Sequence, residues 1–279
     1  MFEMDEFECW IRASHEMFEC LEGRYDVYPL ATLWVNQWLD SSIYVVQNEH
    51  IARINNLIDD FEYTVFGVYG KQAEKIDKQF RSLIKDFLRT GENIGYAIAP
   101  YLFTWNFQRF KKYFIEDNSF DLNSYFNELG RFLDSRKQEI KHFRGRKMLE
   151  EEIESGRIEK LFNDLNNKLK ELGIGHNEPI GVIKILHVCS PQYFPLIDND
   201  IAKAFRLKKN KRESLTSFHY LKWMKSVQSW LSKYDKIKIE KLETEFGRSI
   251  LKLVDQALYI MCSLNLKKRV GLKVDVDEI

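Results

Sequence analysis

The sequence predicts an all-α protein. Apolar residues recur at intervals of three and four in one segment after another, the signature of helices with one buried face. Only 5 prolines and 13 glycines interrupt 279 residues, which favours long helices over many short strands. Apolar residues make up 44% and aromatics 14%, enough to build a core and unlike a disordered chain.

The elements follow in order. Residues 3–21 place Phe7, Trp10, Ile11, Met17, Phe18 and Leu21 on one face. Gly23 and Pro29 punctuate the chain, and a second helical stretch spans 30–66 with a break near Asp40-Ser41-Ser42. Residues 71–89 repeat the pattern, with Gly91 as a stop. The aromatic segment 95–115 has Pro100 positioned to start or kink a helix. Asp121 is an N-cap for a helix over 121–134. Residues 136–160 are highly charged and read as an exposed helix pair or a linker around Gly145. Residues 157–172 form an amphipathic helix through Ile158, Leu161, Phe162, Leu165, Leu169 and Leu172. Two further helices are expected at 215–234 and 239–264, and the β-prone tail after Leu266 adds at most an edge strand.

Composition narrows the function classes. The opening MFEMDEFECW has neither a basic nor an apolar leader region, so no signal peptide is expected. The longest mostly apolar run, Gly95 to Trp105, is far short of the roughly 20 residues of a membrane span. An intracellular, cytoplasmic protein is the expectation. Cys9, Cys20, Cys189 and Cys262 lie far apart without a C-x-x-C pair, which predicts reduced thiols and no zinc site. His15 and Glu19, one turn apart, have no third ligand in view, so no metal is expected. Net charge is zero but uneven. Residues 1–62 hold 13 acidic and 3 basic side chains, leaving 29 acidic and 39 basic in the rest. An acidic front region, 1–90, and a basic body, 91–279, are the expected domains. A basic body fits a polyanion; the opposite halves could equally attract each other.

One stretch carries chemistry. Two helices flank the turn Leu172-Gly173-Ile174-Gly175, where glycine permits the sharp reversal and close backbone approach. The next helix would begin with outward N–H groups that favour an anion such as phosphate. Pro195-Leu196-Ile197-Asp198-Asn199-Asp200 follows, then a short helix from Ile201 to Leu207.

This combination resembles the helix-hairpin-helix superfamily of base-excision DNA glycosylases, over residues 172–207. The resemblance implies two helical lobes and a partner of duplex DNA. It implies a backbone-gripping hairpin at Gly173, Gly175, His176 and Asn177, and a carboxylate at Asp198 that stabilises the sugar cation or activates a nucleophile. The flipped base would enter a pocket between the lobes. The interval from Gly175 to Asp198 is longer than the family's commonest form, with His176-Asn177-Glu178-Pro179 reading as an insertion. The lysine nucleophile of bifunctional members falls near Pro179 or Ile180, and Lys184 lies a turn further on. No four-cysteine loop follows, so no iron–sulfur cofactor is implied, nor any other.

Each candidate has a plainer reading. Asp198 or Asp200 caps the next helix. Lys184, among Val182, Ile183, Ile185 and Leu186, snorkels to solvent. His187 fills the core or faces DNA. Trp105, Phe107, Phe110, Tyr113 and Phe114 form a core or a stacking pocket. Lys203, Arg206, Lys208, Lys209, Lys211 and Arg212 are a solvated loop or accessory phosphate contacts. A second cluster, Lys141, His142, Arg144, Arg146 and Lys147, reads as solvent-facing. The expected function is a DNA-binding protein of glycosylase type that removes a damaged base. The alternatives are a non-catalytic nucleic-acid-binding module and a helical protein that binds a protein partner or itself.

Overall fold

The computed structural model describes residues 4–17, 28–40, 93–105, 110, 112–113, 116–117, 119–208 and 213–264. Every regular element among these residues is helical. The expected helices over 41–66 and 71–89, and the β-prone tail, lie outside them. No helix among the described residues is long and apolar enough to cross a membrane.

The elements are α1 (Met4–Met17), α2 (Tyr28–Asp40), α3 (Ile94–Trp105), α4 (Leu122–Ser135), α5 (Lys137–Lys141), α6 (Ser155–Leu172), α7 (Pro179–Cys189), α8 (Asn199–Ala204), α9 (Ser217–Leu231), α10 (Lys236–Phe246) and α11 (Ile250–Leu258). A π-helical turn, Tyr259–Ser263, continues α11.

The chain divides into two compact units away from the expected boundary at residue 90. One comprises 1–23, 143–166 and 178–279; the other comprises 24–142 and 167–177. The division falls inside α6, which carries the chain from one unit to the other.

In the smaller unit α3 packs against both α2 and α4. Asn93 starts α3 by accepting from Gly95 N at 2.9 Å, and it also donates to Asn127 Oδ1 at 2.8 Å. With its start set there, α3 runs through Pro100 instead of beginning at it. Asp121 caps α4 through Asn123 N at 2.8 Å, as its position in the sequence predicts. Phe110 and Tyr113 are buried among Phe120, Tyr125 and Phe126, with ring centroids 5.0–6.5 Å apart. They form a core. The side chains of Trp105, Phe107 and Phe114 lie outside the described residues.

In the larger unit α1 packs on α11, and α10 touches α11 as well. Phe7 sits edge-on to Trp230 at 4.6 Å. The helix expected over 239–264 is broken at Gly247 (φ +60°), and Ser249 caps a new helix through Lys252 N. The charged stretch near Gly145 is neither an exposed helix pair nor a loose linker. Phe143, Met148 and Ile153 are buried, Gln228 Nε2 donates to Glu151 O at 2.8 Å, and Arg146 pairs with Glu151 and Glu154.

Candidate functional site

The segment leading into Asp198 is held by three consecutive backbone carbonyls. Phe194 O accepts from His187 Nδ1 at 2.6 Å, Pro195 O from the Tyr220 hydroxyl at 3.0 Å, and Leu196 O from Trp223 Nε1 at 3.0 Å. All three donors are buried, so breaking any one strands a buried carbonyl at about 1–3 kcal/mol. Burial lowers the His187 pKa to about 4, with the nearby Lys252 ammonium adding to the effect. The neutral ring is a core donor and does not face a ligand.

This anchoring presents Asp198 in an extended conformation at the start of α8 (φ −108°, ψ −178°). Its Oδ1 accepts from Ile201 N at 2.7 Å, so it is an N-cap, and its Oδ2 accepts from Ser263 Oγ at 2.5 Å. Ser263 ends the π-helical turn, whose wider i→i+5 bonding shows in Leu264 N to Tyr259 O at 3.0 Å. Burial raises the Asp198 pKa above the usual aspartate value. The two hydrogen bonds oppose that rise, and the charges of Asp255 and Asp200 add to it.

Lys184 belongs to the same cluster. It is half-buried on the otherwise apolar α7, and burial pulls its pKa down to about 7. Asp255 and Asp198 resist that drop, and Lys252 reinforces it. Lys252 and Asp255, one turn apart on α11, pair at 2.7 Å and are largely buried. Two lysines, two aspartates and a serine from α7, α8, α11 and the π-helical turn therefore converge. A half-neutral amine beside carboxylates can act as a nucleophile or a proton acceptor near neutral pH.

The hairpin residues fall in the other unit. Gly175 (φ +87°) adopts a left-handed backbone that a side chain would strain, and Gly175 N closes the end of α6 on Lys170 O at 2.8 Å. Gly173 is needed for a different reason: an added Cβ would lie 2.5 Å from the Tyr113 hydroxyl and 2.9 Å from Leu169 O. His176 stacks on Tyr113 and bonds Glu116 at 2.5 Å, which lowers the Glu116 pKa. Asn177 is exposed. In the larger unit, Glu178 holds the N-cap position of α7 at 1% exposure, without a side-chain capping hydrogen bond.

Of the basic run, Lys203 and Arg206 are exposed, Arg206 with a left-handed backbone (φ +52°). Lys208 is 4% exposed, and its Nζ donates to Asn199 Oδ1 at 2.8 Å, inside the fold. Lys209, Lys211 and Arg212 lie outside the described residues. In the second cluster Lys141, His142 and Arg146 differ: the first two are exposed, while Arg146 is engaged by Glu151 and Glu154.

Sequence reading missed Lys252, Asp255, Ser263, Tyr220 and Trp223. A lysine and an aspartate three apart on an apolar helix were the one signal available for the first two. Nothing local marks Ser263. Among the described residues no group of three or more His, Cys, Asp or Glu side chains gathers as metal ligands would. The chain matches no family model, no curated protein and no solved structure.

Proposed function

We propose that this protein binds DNA and releases a base from it, as helix-hairpin-helix glycosylases do, with Lys184 and Asp198 at the reacting sugar. One observation carries this reading: the half-buried Lys184 amine, with its pKa lowered to about 7, shares a charge cluster with the Asp198 carboxylate. In the proposed step the neutral Lys184 nitrogen attacks the sugar C1′ and the bond from C1′ to the base breaks. The base leaves with the bonding pair and takes up a proton, and the Asp198 carboxylate stabilises the positive charge on the sugar. The nitrogen then loses a proton, its lone pair forms the C=N bond as the C1′–O4′ bond breaks, and O4′ takes up a proton; the resulting ring-opened imine is what borohydride reduces to a stable adduct.

The test incubates the protein with duplexes carrying oxidised, deaminated or alkylated bases, with borohydride present. A wild-type adduct that is absent in Lys184→Ala, with base release reduced in Asp198→Asn, is the expected result. Salt-dependent duplex binding without adduct or base release rejects the catalytic reading.

A second reading has its own support. Both Asp198 oxygens are committed inside the protein, one to Ile201 N and one to Ser263 Oγ. That favours a non-catalytic nucleic-acid-binding module in which Asp198 is a cap alone. On this reading Asp198→Asn binds duplex DNA as tightly as wild type, and no base is released by either.

A further inference from the structure

Helix α9 has an acid-free solvent face. Phe218, Lys222, Lys225 and Ser229 fall four, three and four residues apart and are exposed, so they form one line along the helix. Tyr220, Trp223, Met224, Val227, Trp230 and Leu231 are buried on the opposite side. No acidic residue occurs anywhere in SFHYLKWMKSVQSWL, although charged residues make up 30% of the chain. Among the described residues neither Lys222 nor Lys225 makes an ion pair.

Phe218 is 69% exposed. A single exposed aromatic is ordinary; this one heads an acid-free cationic line and is rigidly mounted. Thr216 and His219 close a capping box around it, with Thr216 N donating to His219 Nδ1 at 3.2 Å. Ile237, 74% exposed at the start of α10, makes the contrast. Its neighbours Lys236 and Lys238 are paired with Glu150 and Asp5, and Glu240 follows one turn on. On the buried side of α9, Phe205 packs edge-on against Trp223 at 5.2 Å.

We propose that this face of α9 is a docking strip for unpaired nucleotides of a nucleic-acid strand. A base stacks on Phe218, and the phosphates beside it lie on Lys222 and Lys225. The lysines stand about 6 and about 10.5 Å along the helix from Phe218, on the same line as the ring. Cations that no carboxylate pairs with favour a polyanion, and an exposed ring adds a stacking partner that a base supplies. The proposal rests on the nucleic-acid-binding part of the reading above and needs no chemistry from Lys184 or Asp198.

The test is fluorescence anisotropy of the full-length protein with a labelled mixed-sequence single strand, across a salt series. Phe218→Ala is expected to weaken binding roughly tenfold, and Phe218→Trp to restore it. The double variant Lys222→Gln/Lys225→Gln is expected to make the slope of log K against log salt shallower by about 1.4. Matching thermal melts show that the surface variants fold. Equal affinities for wild type and Phe218→Ala, or no wild-type binding at low salt, overturn the strip. So does binding to phosphatidylserine vesicles that is lost in these variants while oligonucleotide affinity is unchanged. Adduct formation on damaged duplexes reads the base-release proposal separately, so either can fail alone.

Discussion

Ser263 Oγ donates to Asp198 Oδ2 at 2.5 Å, joining the last residue of the π-helical turn to the first residue of the α8 cap. The bond favours the charged carboxylate, against the burial that raises its pKa. Ser263→Ala should therefore raise the Asp198 pKa further and destabilise the fold by about 1.5–3 kcal/mol, as a lost bond to a charged group does. Carbon-detected NMR titration of the Asp198 carboxyl reads the first effect. An unmoved or lowered pKa would count against the assigned role of Ser263.

Asp198 also separates capping from chemistry. Asparagine caps a helix as well as aspartate, whereas alanine costs about 1 kcal/mol. Chemical denaturation should therefore place Asp198→Asn, which keeps the cap but not the charged bond from Ser263, between wild type and Asp198→Ala, which loses both. If the carboxylate acts on a sugar cation, both lose base release alike.

Lys184 gives a pH signature. Its pKa falls from the ordinary 10.5 to about 7 in the fold, so between those values the unfolded chain binds more protons. The lysine's destabilising contribution is full below about pH 7 and fades as pH rises toward 10.5. Lys184→Met should gain on the order of 2 kcal/mol at pH 6, less than the whole shift implies because Lys184 keeps part of its surface in water. The gain should vanish near pH 10.5. A gain independent of pH would show that packing, not charge burial, is responsible.

The carbonyl ladder before Asp198 predicts paired effects. Tyr220→Phe and Trp223→Phe each strand one buried carbonyl, Pro195 O or Leu196 O, and each should lower stability by about 1–3 kcal/mol, with an added packing loss for the smaller ring at 223. If the ladder positions Asp198, Tyr220→Phe should lower the rate of base release more than duplex affinity. Equal losses in rate and affinity would point to general loosening.

At the hairpin, Gly173→Ala forces a methyl against the Tyr113 hydroxyl and Leu169 O and should cost about 1–3 kcal/mol. Pairing it with Tyr113→Phe, which removes the nearest atom, should recover part of that loss in thermal melts.

Much of the helical framework was legible because its cause is local. The spacing of Ile158, Leu161, Phe162, Leu165 and Leu169 forms α6, and all five are buried. Asp121 and Asp198 cap the helices that their positions announced. Where local signals competed, reading failed. Asn93 started α3 ahead of Pro100, which removes the first of the two roles expected of that proline, and Gly247 with Ser249 split a continuous apolar pattern in two.

By itself, then, the sequence determined the helical character of the described residues, their caps, the glycine turn after α6 and the aspartate at the head of α8. Tertiary structure alone decided that Lys208 turns inward to Asn199, that Ser263 reaches Asp198 and that the chain divides within α6. It also decided that Lys184 sits with two aspartates and a second lysine. The reason is physical: caps and amphipathic faces depend on residues within a turn or two. A lysine's proton affinity and a hydroxyl's partner depend on desolvation and charges contributed by segments far apart in the chain.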